Sequence, residues 1–199
     1  MIQITRYVLL QATKGQCRLA GHTIQMARHT IFKGVITMEE RPIVGIVMGS
    51  TSDKAVMDEC AKTLEELGIK FEIIVSSAHR TPDKTRDYAM SAADRGIEVI
   101  IAGAGWAAHL AGVLASHTIL PVIGVPIDSS PLRGIDALLS TAQMPPGIPV
   151  ATMAVGAGGA CNAAVFAAQA LALKYPEIAK RLETYRERLR SKSTGANID

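Results

Sequence analysis

Ile43-Val44-Gly45-Ile46-Val47-Met48 runs without a charge into Gly49-Ser50-Thr51-Ser52-Asp53. The first stretch reads as a strand from Ile43 to Met48. It lacks polar alternation, which suits a parallel strand covered on both faces. The second reads as the turn into a helix, where glycine permits close backbone approach and the hydroxyls open a helical N-terminus that favours an anion. The helix is expected from about Asp53 to Leu67, with Val56, Cys60, Leu64 and Leu67 on one face and Gly68 at its end.

The same unit recurs along the chain. Further strands are expected at Lys70 to Val75, Glu98 to Ala102, Val122 to Val125 and Pro149 to Ala154. Between them, a helix with Thr81 as N-cap and Pro82 in its first position stops at Gly96. Others are expected from Ala107 to Ser116, from Leu132 to Thr141, and from the Gly156 to Gly159 turn through Leu173. The last helix follows Pro176 and carries a stripe of Ile178, Leu182, Tyr185 and Leu189, suited to docking on the body or a neighbouring subunit. Strands alternating with helices mean a parallel sheet covered on both faces.

Composition agrees with one globular domain plus a tail: 199 residues, 48% hydrophobic and 20% charged. A net charge of +3 and 4% aromatic residues argue against a nucleic-acid partner. Cys17, Cys60 and Cys161 lie far apart without metal-ligand spacing, which implies a reducing, cytoplasmic setting with no disulfide framework and no metal site. The apolar stretches Val99 to Ser116 and Ile148 to Leu173 have membrane-spanning length, but glycines interrupt both, so no membrane partner is expected. From Met1 to Met38 there is no Asp or Glu, and neither a secretory signal nor the serine richness of a transit peptide. Residues 1–41 therefore read as an N-terminal extension, a flexible tail or a start assigned upstream of Met38, followed by a catalytic domain over 42–175 and a helix with polar tail over 176–199.

In open α/β sheets ligands sit at the carboxyl ends of the strands, so the residues after each strand carry the functional signal. After the second strand, Ser76-Ser77-Ala78-His79-Arg80-Thr81-Pro82 gathers hydroxyls, an imidazole and a guanidinium. Arg80 could hold a phosphate through two parallel hydrogen bonds, and His79 could move a proton near neutral pH. A lone His or Arg in a loop is more often a capping or surface residue, but a second polar strand end beside them favours the functional reading. After the third, Gly103-Ala104-Gly105-Trp106-Ala107-Ala108-His109 offers backbone N–H groups to a ligand, with His109 near the start of a helix as cap, packing group or substrate contact. Anion donors with one or two histidines and no carboxylate cluster point to proton-transfer chemistry on a small phosphorylated molecule.

These strings, with Gln143-Met144-Pro145 and Gly147-Ile148-Pro149-Val150, occur in one order that resembles the class I PurE family, the N5-carboxyaminoimidazole ribonucleotide mutases. The resemblance covers roughly residues 42 to 173. It implies a flavodoxin-like three-layer α/β/α sandwich with a central parallel sheet, a homo-octamer with sites between subunits, and no cofactor. It also implies the reaction, transfer of a carboxylate from exocyclic N5 to ring C4, and a functional partner, the ATP-dependent enzyme supplying the N5-carboxylated ribonucleotide. Direct carboxylation by CO2, or a non-enzymatic ligand-binding role, are the alternatives on the same fold.

By the same resemblance His79 is the acid/base. Ser50, Ser52 and Arg80 bind the 5′-phosphate region, Asp53 accepts from ribose hydroxyls, and Ser77 supports the loop. Gly105, Ala108, His109 and Leu110 line the pocket for base and CO2. The chain departs from the family's usual GAGGAAHLPG pattern with Trp106 for glycine and Ala111 for proline, and it carries Asp128 and Ala157 where glutamine and lysine are common.

Overall fold

The computed structural model describes Arg18–Leu19, His22–Thr23 and residues 41–194. The chain divides into two compact units, Met1–Val35 and Ile36–Asp199. In the first, the described residues form one antiparallel pair, Arg18–Leu19 with His22–Thr23. Apart from that pair and Arg41, the expected extension lies outside the described residues, as do 195–199 of the expected tail.

The second unit runs β1 (Val44–Met48), α1 (Lys54–Glu66), β2 (Phe71–Val75), α2 (Pro82–Ala92), β3 (Val99–Gly105), α3 (Leu110–Ala115), β4 (Val122–Ile127), α4 (Ile135–Ala142), β5 (Ala151–Thr152), α5 (Ala157–Ala172) and α6 (Pro176–Thr194). The sheet order is β2-β1-β3-β4-β5, and every pairing is parallel. This is the flavodoxin-like three-layer α/β/α sandwich expected from the sequence.

Alternate residues of each strand enter opposite cores, as a period of two requires. Val44, Ile46, Met48, Val99, Ile101, Ile123 and Val125 join Met57, Cys60 and Leu64 of α1, the alanine face of α5, and Ile178 and Leu182 of α6. Val47, Ile100, Ala102 and Val122 join Tyr88, Ala89 and Ala92 of α2 with Leu110 and Leu114 of α3. Every residue of β1 is buried, so truncating Ile46 to Ala should cost about 2–5 kcal/mol. Among the described residues no helix is long and apolar enough to cross a membrane.

The structure corrects several boundaries. The fifth strand is confined to Ala151–Thr152, because only Ile123↔Ala151 and Gly124↔Thr152 pair with β4, and Pro149 has no N–H to give. The third helix begins at Leu110 rather than Ala107, after a turn in which Trp106 takes φ 55°. The fourth begins at Ile135, where Gly134 at φ 83° supplies the entry. Gly158 and Gly159 lie inside α5 rather than in a turn before it, and only Gly156, at φ 80°, occupies the N-cap. The Thr81 side chain makes no capping bond to α2, since its hydroxyl donates to the Ser77 carbonyl and accepts from the Ser77 N–H. Along the α6 stripe Ile178 is fully buried, whereas Leu189 is 46% exposed.

Candidate active site

With strand order 2-1-3-4-5, successive connections leave β1 and β3 toward opposite faces of the sheet, which opens a crevice beyond their carboxyl ends. A cleft of about 500 Å³ lies there. It is bordered by Ser50, Ser52 and Asp53 after β1, by Ser77, His79 and Arg80 after β2, and by Gly105 at the end of β3 with His109 and Leu110 beyond it. Every site residue expected from the sequence borders it except Ala108, which is buried and absent from its lining.

The β1 loop is a capping box. The Asp53 carboxylate accepts from the Ser50 N–H at 2.9 Å, while Ser50 Oγ accepts from the Ser52 N–H and hydroxyl at 3.3 and 2.9 Å. Asp53 is 4% exposed. Burial pushes its carboxyl above the usual range, a shift that the Ser50 N–H and the nearby Arg80 charge only partly oppose.

The β2 loop is tied to its neighbour through Arg80. Its guanidinium donates to the Gly49 carbonyl at 3.1 Å and to Ser77 Oγ at 3.4 Å, and its N–H reaches the same hydroxyl at 3.2 Å. Beneath it the buried Ser76 and Thr85 hydroxyls lie 2.8 Å apart. The guanidinium is thereby fixed across the two loops at the rim of the cleft, where it remains exposed.

His79 Nε2 lies 2.8 Å from His109 Nδ1, with the rings edge to face at 89°. A bond between two imidazole nitrogens takes one N–H and one lone pair. While it persists the two rings share one proton at that contact, so His109 sets which ring atom of His79 can give or take a proton. Sequence reasoning placed both histidines at strand ends but not against each other, because 30 positions separate them.

Ser129, just past β4, borders the cleft and was missed. The strand-end rule that found the other loops would have found it. A Cβ at Gly105 would fall within the van der Waals sphere of Ser129 Oγ, so glycine there lets the β4 loop close on the end of β3. Cys161 lies elsewhere, its thiol accepting from Thr63 at 3.4 Å and near the Tyr185 hydroxyl at 3.7 Å. Cys60 is fully buried, which pushes its thiol up to about 12.

Comparison with known proteins decides the family. Residues 43–192 match the model of the AIR carboxylase family. The chain belongs to the AIR carboxylase family. This match extends the resemblance into α6, as far as residue 192. The chain is similar to the N5-carboxyaminoimidazole ribonucleotide mutase of Pyrococcus horikoshii, 57% identical over 159 residues, 79% of this chain and 89% of the relative. It is 61% identical over 146 residues to the mutase of Pyrococcus abyssi, 73% of this chain and 83% of that one. Among solved structures it resembles Treponema denticola PurE, with a TM-score of 0.69 and 31% identity, over 77% of this chain and 95% of that one. An AIR carboxylase family member thus presents its cleft where the strand order alone would put a ligand.

Proposed function

We propose that the chain is an N5-carboxyaminoimidazole ribonucleotide mutase of purine biosynthesis. The observation that carries this reading beyond family membership is the imidazole pair, His79 with His109, set beside a guanidinium and hydroxyls in one cleft.

The proton balance explains why so little machinery suffices. Breaking the N5–carboxylate bond releases CO2 and leaves electrons on N5, which must gain a proton. Attack of ring C4 on that CO2 then requires C4 to lose one. Overall a carboxylate moves from N5 to C4 and a proton moves from C4 to N5, so one side chain that gives and retakes a proton ends as it began. His79 takes that role. His109 presents it in one tautomer, Arg80 with Ser50 and Ser52 holds the 5′-phosphate, and Asp53 accepts from the ribose. Leu110 and Ala107 supply apolar lining against which the released CO2 would be held.

His79→Asn keeps a hydrogen-bonding side chain but no titratable group. It should bind ribonucleotide within about threefold of the parent while turnover falls by roughly 10²–10⁴. Turnover within tenfold of the parent would remove His79 from the acid/base role.

The chain is further proposed to act in the cytoplasm, as a homo-octamer, downstream of an ATP-dependent enzyme that makes the labile N5-carboxylated substrate. Assembly is supported by a second, largely apolar groove of about 970 Å³ at the opposite end of the strands, around Pro121 and Val122. On its rim Met90 is 62%, Phe166 43% and Ile119 fully exposed.

A further inference from the structure

We infer that Trp106 is the base-contacting residue of this cleft, its indole closing over the five-membered ring of the bound ribonucleotide. The inference rests on the mutase reading above and adds a residue for which the family's usual pattern has only glycine.

Three observations converge. Trp106 sits at φ 55°, in the left-handed region that a bulky side chain seldom enters and that glycine occupies freely. Packing within the chain does not compensate, since the residue is 59% exposed there. The residue borders the same cleft as His79, His109 and Arg80. Neither backbone preference nor core burial accounts for a large aromatic here, and strained backbone that persists without such a reason concentrates where ligands are handled.

The cleft's chemistry specifies the use. Its phosphate and ribose end is served by Arg80, Ser50, Ser52 and Asp53, all on the β1 and β2 loops. Apart from Trp106, its nonpolar lining comes from Ala78, Ala104, Ala107 and Leu110. A flat aminoimidazole needs a flat partner, and the indole is the broad apolar face available on the β3 loop, from which His109 also projects. Stacked there, it would cover the ring while leaving its edge, with N5 and C4, open to His79.

Trp106 is the sole tryptophan, so the emission of the whole chain reports on it. The full-length protein is titrated with 4-carboxy-5-aminoimidazole ribonucleotide and with ribose 5-phosphate, following tryptophan emission and, in parallel, calorimetric heat. The ribonucleotide should shift emission to the blue and protect it from acrylamide, whereas ribose 5-phosphate should bind without either effect. Trp106→Gly should weaken ribonucleotide binding roughly tenfold, the scale of one base stacked on an aromatic side chain, and leave ribose 5-phosphate affinity unchanged. Trp106→Phe should recover most of the loss. Calorimetric binding of the ribonucleotide with unchanged emission overturns the inference, as does an equal loss for both ligands in Trp106→Gly. No heat with the parent protein and either ligand overturns the mutase reading itself.

Discussion

Gly105→Ala tests the closest packing in the cleft. Gly105 ends β3 and pairs in register with Ile127 of β4. An added Cβ would overlap Ser129 Oγ, lie 3.1 Å from Ser129 Cβ and 3.0 Å from the Ile127 carbonyl oxygen. The hydroxyl can rotate away, because Ser129 is exposed. The carbonyl cannot, because it belongs to the paired strand, so the strand ends must separate by a few tenths of an ångström. Overpacking of this kind costs about 1–3 kcal/mol, which in a domain of this size lowers Tm by roughly 2–4 °C per kcal/mol. Calorimetric melts of the parent, Gly105→Ala, Ser129→Gly and the double variant form a closed cycle. Ser129→Gly alone should change Tm little. In the Gly105→Ala background it should recover only the part due to the Ser129 Cβ, leaving the larger share due to the Ile127 carbonyl. Gly105→Ala melting with the parent, or a double variant that regains the parent's Tm, would refute the assignment of the cost to the Ile127 carbonyl.

Asp53→Asn should separate stability from binding. Because burial raises the folded carboxyl above its unfolded value, its protonated form is the one folding favours. That contribution is complete below the unfolded value and lost as pH rises through the folded one, so at pH 7 the ionised group is a burden. Asparagine keeps an acceptor for the Ser50 N–H without the charge; it should raise Tm at pH 7, give little gain near pH 3, and weaken ribonucleotide binding, and a lower Tm at pH 7 would contradict this. Sedimentation equilibrium should give about eight times the 21.1 kDa chain mass, and a monomer at micromolar concentration would remove the assembly proposal.

What could be read from the residues follows from what kind of constraint each carries. The strands were legible because a strand covered on both sides must be apolar throughout, as Val44 to Met48 and Val99 to Ala102 are, and their order along the chain fixed the layers. Helix starts were less legible, because they depend on single backbone angles. Gly134 at φ 83° moves α4 to Ile135, and Trp106 at φ 55° holds α3 back to Leu110. Thr81 has the chemistry of an N-cap, yet its hydroxyl finds a partner on Ser77, an exchange no spacing rule foresees. Ala108 shares a loop with residues that border the cleft but is itself buried, and nothing in the spacing of that loop marks it out from its neighbours. The contact between His79 and His109 depends on β1 lying between β2 and β3, and so becomes visible only when the sheet is assembled.

That last dependence places the site's geometry in a strand that contributes no residue to the cleft. His79 is carried by a loop whose position follows from the pairing of Met48 with Val75, and His109 by one that follows from the pairing of Met48 with Gly103. The β2 loop is stiffened by Arg80 on Gly49 and by Thr81 on Ser77, while the β3 loop is short, held between a central strand and the buried Leu110 and Ala111. Neither loop has room to correct an error made below it. The 2.8 Å contact between the imidazoles is therefore set by how β1 spaces its neighbours. Small residues such as Gly45, against which Tyr88 packs, and Gly103, against which Met57 packs, bear on the acid/base pair through sheet spacing, although neither borders the cleft.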